Sequence, residues 1–419
     1  MIAIVGGGIS GLALAHHLAA RDLPFQLLES SNRPGGVIRS GRIEGHVLDW
    51  GPQRMRLTAE LSSLVDQLGL RDRLVTAPPG LPLFVYRTGR LRRVPFSAVG
   101  LLRSDLLSLR GRLRLLLEPL TAGPRDDETV AACFTRKIGR EAYEVIAGPL
   151  YGGLYASDPA DMLVGLSLGR VLHELGVGRS FALPLLRRGG AITPPPACSF
   201  DEGMNTLTDA LWRRHAQHGR LGAPVCRITR HGAGYALHLE SEVLHAERVV
   251  LATPASTAAL LLHDVAPDAA ARIARLNYNP LAVVHLLADN PLRGLGYQVS
   301  FGEPLITRGV TWNDSLFGRT GVYTAYLGGA HNPWVAQEPV ERVGSIAVAE
   351  FRTVMGVDAR VLSVEQEWMP AWDRSWSALE SLELPAGVHL HANWAGRPGI
   401  PGRLAGARQL AERLDPRAR

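Results

Sequence analysis

The first thirty residues admit essentially one local fold. Ile2-Ala3-Ile4-Val5 reads as a short buried strand and Gly6-Gly7-Gly8-Ile9-Ser10-Gly11 as a G-x-G-x-x-G turn. Leu12 to Ala20 has helical composition, and Phe25 to Leu28 reads as a second strand ending in Glu29. Each glycine of the fingerprint answers a steric need: a tight strand-to-helix turn, approach of backbone N–H groups to a pyrophosphate, and close packing of helix on strand. Glu29 is placed to accept hydrogen bonds from a ribose 2′-OH and to repel a 2′-phosphate. No charged residue precedes Arg21, which by itself would suit a signal segment. The missing basic n-region and the three adjacent glycines favour the dinucleotide turn instead.

The segment after Glu29 selects the dinucleotide. Arg33-Pro34-Gly35-Gly36-Val37-Ile38-Arg39-Ser40 resembles the R-x-G-G segment that follows the first βαβ unit in a large group of FAD enzymes. Paired glycines let the chain pass close to a ribityl chain and pyrophosphate, and arginines can meet phosphate charge. Leu48-Asp49-Trp50-Gly51-Pro52-Gln53-Arg54 is similar to the acid-x-Gly-Pro element that borders the isoalloxazine in the same group. The expected cofactor is FAD rather than NAD.

Composition narrows the class. A chain of 419 residues holds two or three domains. Cys133, Cys198 and Cys226 have no metal-ligand spacing and leave an odd count, which suits a reducing compartment and small buried hydrophobes. His16-His17 falls on the first helix without ligand partners in sequence, so no metal is expected. Formal charge is +6, and Lys137 is the sole lysine among 45 basic residues. Such a balance suits an anionic ligand or membrane surface, whereas the absence of a basic run interleaved with aromatics speaks against nucleic acid. No run of about 18 apolar residues suggests a spanning helix. Between Arg87 and Glu118, eight arginines and two acids are spaced among leucines. This predicts an amphipathic helix pair with a basic face, and a second reading is an interfacial surface for anionic lipid. The expected location is the cytoplasm, with peripheral contact to the inner face of the cell membrane as the further reading.

The expected fold class is α/β (α+β overall). A discontinuous Rossmann-like FAD-binding domain is assembled from residues 1–75, 200–264 and 386–419, a helical insertion spans 76–199, and a mixed-sheet substrate domain spans 265–385. Arg248 to Thr253 reads as a buried parallel strand meeting a ligand, and His389 to Gly399 as a strand and Gly-rich loop before a C-terminal helix. Tyr278 to Leu287, Gly309 to Trp312 and Val322 to Gly328 read as strands of the substrate sheet.

With these elements in order the chain resembles the monoamine-oxidase-type flavoprotein superfamily. Asp126-Asp127-Glu128-Thr129-Val130 and the run from Pro149 to Pro159 narrow the likeness to the oxygen-dependent protoporphyrinogen/coproporphyrinogen oxidases of heme synthesis. Phe200-Asp201-Glu202-Gly203-Met204 and Gly294-Leu295-Gly296-Tyr297 are similar to further motifs of that family. The resemblance implies that Gly6, Gly7, Gly8, Ile9, Ser10 and Gly11 hold the pyrophosphate, Glu29 and Ser30 the adenosine ribose, and Val225 the adenine. Arg33, Gly35, Gly36 and Val37 would pass the ribityl region, while Gly51, Pro52, Gln53 and Arg54 would line the flavin. Arg397, Pro398 and Gly399 would form the C-terminal flavin loop, with Trp376 a weaker candidate, and the FAD would be non-covalent. The loop departs from the family's V-A-V-x-D pattern, and Met369 to Trp376 departs from its I-P-Q-Y … G-H-W segment.

The implied reaction removes six electrons from protoporphyrinogen IX or coproporphyrinogen III, with O2 as acceptor, H2O2 as by-product and hand-off to a ferrochelatase. Arg54, Arg56, Arg170 and Arg179 are the propionate candidates, and no residue is assigned as general base. An amine oxidase would be expected to place a lysine at the flavin, and Lys137 reads as lying on an exposed helix. A carotenoid desaturase, a non-redox flavin isomerase and a flavin-binding protein without turnover are the remaining alternatives.

Overall fold

Ile2–Val5 (β1) carries four buried apolar residues in a row, the pattern of a strand covered on both faces. In the computed structural model it lies at the centre of a five-stranded sheet. The structure describes all residues except Phe96, Leu175, Ala182, 184–194 and Arg419, together with a few helical side chains such as that of Arg170. Strand β1 pairs with Phe25–Leu28 (β2) on one side and with Arg248–Leu251 on the other, all parallel, so that Ile2 lies opposite both Phe25 and Arg248. Gly219–Arg220 and Val388–Leu390 complete the two edges, also in parallel. Ile9–Ala19 (α1) and the C-terminal helix Ile400–Leu414 pack with this sheet through Leu12, Leu14, Leu18, Leu404, Ala407 and Leu410.

The chain divides into two compact units, and this sheet belongs to the first, made of Met1–Thr76, Pro195–Leu276 and Ala378–Arg419. The same unit holds an antiparallel meander of Arg227–His231, Gly234–His238 and Val243–Ala246. It also holds a hairpin, Ser40–Ile43 with His46–Asp49.

The second unit comprises Ala77–Pro194 and Asn277–Ser377. Its seven-stranded sheet runs from Ala359–Pro370 through Tyr278–Ala288, Val322–Gly328, Thr307–Trp312 and Gly296–Val299 to a hairpin of Leu83–Arg87 and Arg90–Val94. Only the contact between Gly296–Val299 and Leu83–Arg87 is parallel. Val340–Met355 lays Val343, Ala347, Phe351 and Val354 on this sheet at helical spacing and stops at Gly356, which is left-handed.

Leu83–Arg87 and Arg90–Val94, expected within a helix-rich stretch, are therefore strands. Thr88 and Gly89 both have positive φ, the signature of a two-residue hairpin turn that matches strand twist. The expected pair of amphipathic helices does occur, at Ala98–Arg103 and Leu109–Leu116. Lys137 departs furthest from expectation. It is fully buried, its ammonium 2.6 Å from Glu118, and it donates to the carbonyl of Arg179. Burial pushes the Glu118 carboxyl up, but bonds from Lys137, Ser180 and the Phe181 N–H outweigh it and hold the group below its ordinary value. Val130, Cys133 and Lys137 share the buried stripe of one helix, so the side chain had no route to solvent. Cys133 and Cys198 are buried as expected, whereas Cys226 is exposed.

Candidate functional site

The glycine turn expected to hold the pyrophosphate is over-determined by backbone contacts. Gly6 sits at φ +109°, and a Cβ on it would lie 2.8 Å from the Ala252 carbonyl oxygen. A Cβ on Gly11 would collide with the Gly6 carbonyl oxygen in turn. Helix α1 starts after Gly8 without a side-chain cap, which leaves its first N–H groups for a ligand anion. Glu29 is 8% exposed and accepts from the Gly7 N–H at 2.6 Å and from the Ser31 N–H and hydroxyl at 2.9 and 2.8 Å. Ser30 Oγ donates to it more weakly at 3.3 Å. Glu29 thus ties the turn to the end of β2, and its carboxylate keeps acceptor capacity for ribose hydroxyls.

The next segments lie against this turn. Gly35 N–H donates to the Gly7 carbonyl at 2.8 Å. The Arg33 guanidinium donates to the carbonyls of Gly36 at 2.9 Å, Pro34 and Ile38, so the side chain shapes the loop that was expected to receive phosphate from it. Val37 is 58% exposed. Gly51 packs so tightly on Val37 that a Cβ would strike the Val37 carbonyl oxygen. Asp49, fully buried, accepts from Ser40 Oγ and from the Met204 N–H at 2.8 Å. Gln53 folds its amide back onto the carbonyls of Asp49 and Gly51, with Pro52 between and Arg54 next in the chain. Val225 follows a segment held by bonds from Gly222 N–H to the Ser31 carbonyl and from Ala223 N–H to the Glu29 carbonyl.

The C-terminal loop completes the first unit's constellation. His391 N–H donates to Leu251, and Trp394 Nε1–H donates to the Thr253 carbonyl at 2.9 Å. Arg397, Pro398 and Gly399 then lead into the C-terminal helix, with Gly399 at φ +80° as an N-cap that has no side chain to satisfy the first N–H groups. Arg403 is 3% exposed and donates to the carbonyls of Ala392 and Arg397. Burial pushes its guanidinium down to about 10, and burial beside that cation brings His391 down to about 3.

The remaining candidates are dispersed. Trp376 belongs to the second unit, 2% exposed and stacked on Trp372 at 5.3 Å. Arg56 donates to the Pro195 carbonyl at 3.0 Å. Arg179 spends its guanidinium on the carbonyls of Thr121 and Leu120. The side chain of Arg170 lies outside the described residues. Arg403 was missed by sequence reasoning, and Thr253 was read only as the end of a strand meeting a ligand. Arg403 left a signal, since it stands within the buried spacing Ile400, Arg403, Ala407, Leu410, Leu414 of an otherwise apolar stripe. Thr253 has a buried hydroxyl without a partner, beside the Ala252 carbonyl that abuts Gly6. An uncapped helix over a glycine turn, a buried carboxylate at the end of β2 and this orphaned hydroxyl fit FAD.

Comparisons with known proteins agree in kind. The model of the family described as flavin containing amine oxidoreductase matches residues 9–381. The chain is 27% identical to the chloroplastic protoporphyrinogen oxidase of Nicotiana tabacum over 394 residues, covering 84% of this chain and 71% of that protein. It is 29% identical to the coproporphyrinogen III oxidase of Mycobacterium leprae (strain TN) over 340 residues, covering 76% and 74%. A crystal structure of a protein from Exiguobacterium sp. 255-15 superposes with TM-score 0.80 at 21% identity, covering 99% of this chain and 98% of that one, and so shares the fold.

Proposed function

The chain belongs to the flavin-containing amine oxidoreductase family and is an FAD-dependent oxidase, and from that premise we propose that its substrate is a porphyrinogen, in heme biosynthesis. The observation that carries the reading is likeness to porphyrinogen oxidases over more than three quarters of the chain. Bound FAD supplies the two-electron acceptor, so porphyrinogen and three O2 would give porphyrin and three H2O2.

This chain's residues supply binding and order. The glycine turn and Glu29 grip the dinucleotide, and the Pro149–Pro159 element is built for close packing. Gly148 and Gly152 face the Phe301 ring, and Gly153 faces Gln298, at separations that leave no room for a Cβ without displacement. An amine-oxidase reading has less support, because the ammonium of Lys137 is consumed by Glu118 and the Arg179 carbonyl. Arg54 is our propionate candidate, because it directly follows the Gly51-Pro52-Gln53 element that would line the flavin.

The test is porphyrin fluorescence on the yellow protein, comparing protoporphyrinogen IX with coproporphyrinogen III, with peroxide detection. Turnover of either above spontaneous oxidation is expected, and the ratio assigns the branch. Arg54→Ala should raise KM by about tenfold, the loss of one charge-assisted contact. A flavin-loaded protein with no rate above background overturns the reading.

The basic helix pair suggests where the enzyme works. No described helix is long and apolar enough to cross a membrane. Leu109, Leu113, Leu116, Leu117 and Leu120, spaced along one face, are each more than half exposed among Arg110, Arg112 and Arg114. We read this face as a peripheral contact with anionic lipid. The protein should pellet with phosphatidylglycerol vesicles at low salt, and Leu113→Glu with Leu116→Glu should keep it in the supernatant. No pelleting of the parent protein sinks the idea.

A further inference from the structure

Arg403 is a cation placed where an apolar residue would pack at lower cost. It occupies the buried stripe of the C-terminal helix, in the first turn after Gly399, and is 3% exposed. Two of its nitrogens donate to the carbonyls of Ala392 and Arg397, and Nε has no partner. Among the described residues burial is the sole influence on its charge, with no carboxylate raising it. A desolvated guanidinium without a counter-charge is strongly disfavoured against a hydrophobic replacement of similar volume, so a partner anion is called for.

The loop that Arg403 organises also reaches the phosphate turn. Residues 392–399 wrap the guanidinium closely, and a Cβ on Gly396 would lie 3.2 Å from its Nη2. Trp394 pins the same loop to the Thr253 carbonyl at 2.9 Å. Ala252, one residue before, abuts Gly6. The buried cation and the N-terminus of a fifteen-residue helix therefore lie at one end of a loop whose other anchor adjoins the dinucleotide turn. Both contribute positive potential there.

We propose that Arg403 tunes the flavin, its charge stabilising the negative charge the isoalloxazine ring acquires when it takes up two electrons and one proton. Arg403 acts as a positioning residue for the loop and as a fixed source of potential, and it contributes no proton. The inference rests on assigning the C-terminal loop to the flavin and does not require porphyrinogen as substrate, so it is tested without substrate.

The experiment uses the FAD-loaded protein and its Arg403→Met, Arg403→Gln and Arg403→Lys variants. Sulfite, which adds to the ring and leaves it anionic, is titrated by bleaching of the visible spectrum, and the midpoint potential is read against reference dyes. Arg403→Met and Arg403→Gln should bind sulfite at least about tenfold more weakly. The reduced-to-oxidised equilibrium should shift by a similar factor, about 30 mV for a two-electron couple. Arg403→Lys, which keeps the charge and loses the paired carbonyl bonds that position the loop, should lie between the parent and the neutral variants in both readouts. Unchanged sulfite affinity and potential in a loaded neutral variant overturn the proposal. So does failure of both neutral variants to retain oxidised FAD, which would assign the charge to the pyrophosphate or to the fold.

Discussion

Gly11→Ala should yield protein that has lost its yellow colour. One methyl group placed there meets the Gly6 carbonyl oxygen and approaches Ile4 Cγ2 at 3.3 Å. Gly6 cannot retreat, because it is itself pressed on the Ala252 carbonyl and holds a φ of +109°. Helix α1 must then lift from β1, which opens the first turn where its N–H groups converge. Overpacking against backbone costs about 3 kcal/mol, and retention of FAD should fall at least tenfold. The measurement is the flavin-to-protein absorbance ratio after purification, with a urea melt beside it. Gly302→Ala, which points into open space, is the matched neutral control. A Gly11→Ala protein with full flavin content would mean that the turn is not the FAD site.

The first unit should begin to lose stability near pH 6.5, above the range in which its carboxylates ordinarily titrate. His16 Nε2 faces Gln67 Oε1 at 2.9 Å, and the Gln67 amide nitrogen donates to Ser63. His16 therefore donates from Nε2 and accepts at Nδ1 from His215 Nε2–H, 3.1 Å away. Both rings are buried and neutral in this chain of bonds. Burial lowers His16, and burial together with the neighbouring His16, Arg214 and His218 brings His215 to about 4. His391, at about 3, behaves in the same way. A cleft of about 360 Å³ lined by His16, His17, Glu60 and Gln67 gives solvent protons access.

Each of these groups binds its proton more weakly folded than unfolded. Stability is thus fully present above the unfolded histidine value near 6.5 and is lost as pH falls toward 4. For His215 alone the shift corresponds to roughly 3 kcal/mol. Urea midpoints should fall steeply between pH 6.5 and pH 4. His215→Gln, whose amide can still donate to His16, should flatten that slope while leaving stability at pH 7.5 within about 1 kcal/mol. Equal slopes in parent and variant would refute the assignment.

Much of the first unit was legible because its signals are local. The apolar run of Ile2–Val5, the glycine fingerprint and Phe25–Leu28 each specify backbone geometry within a few residues, and they form the expected strand, turn and strand. The long strands Tyr278–Ala288 and Val322–Gly328 were legible for the same reason. The hairpin from Leu83 to Val94 was hidden by its arginines, which mimic a basic helix face until Thr88-Gly89 is recognised as a turn. Lys137 and Arg403 both occupied apolar stripes, so their burial could have been read from spacing. Their partners could not, since Glu118 lies nineteen residues away and the Arg403 acceptors are carbonyls of an irregular loop.

The sequence by itself determined the family, the strand–glycine turn–helix unit and the cofactor, because a glycine turn and a strand-terminal acid are matters of steric fit between near neighbours. Tertiary structure alone decided which charges are buried and what answers them. His16 meets His215 across 199 residues, Arg33 turns onto its own loop, and Arg403 sits desolvated beneath the C-terminal loop. Charge and protonation respond to how much water packing removes and which dipoles replace it, and that is settled only when distant segments close around a group.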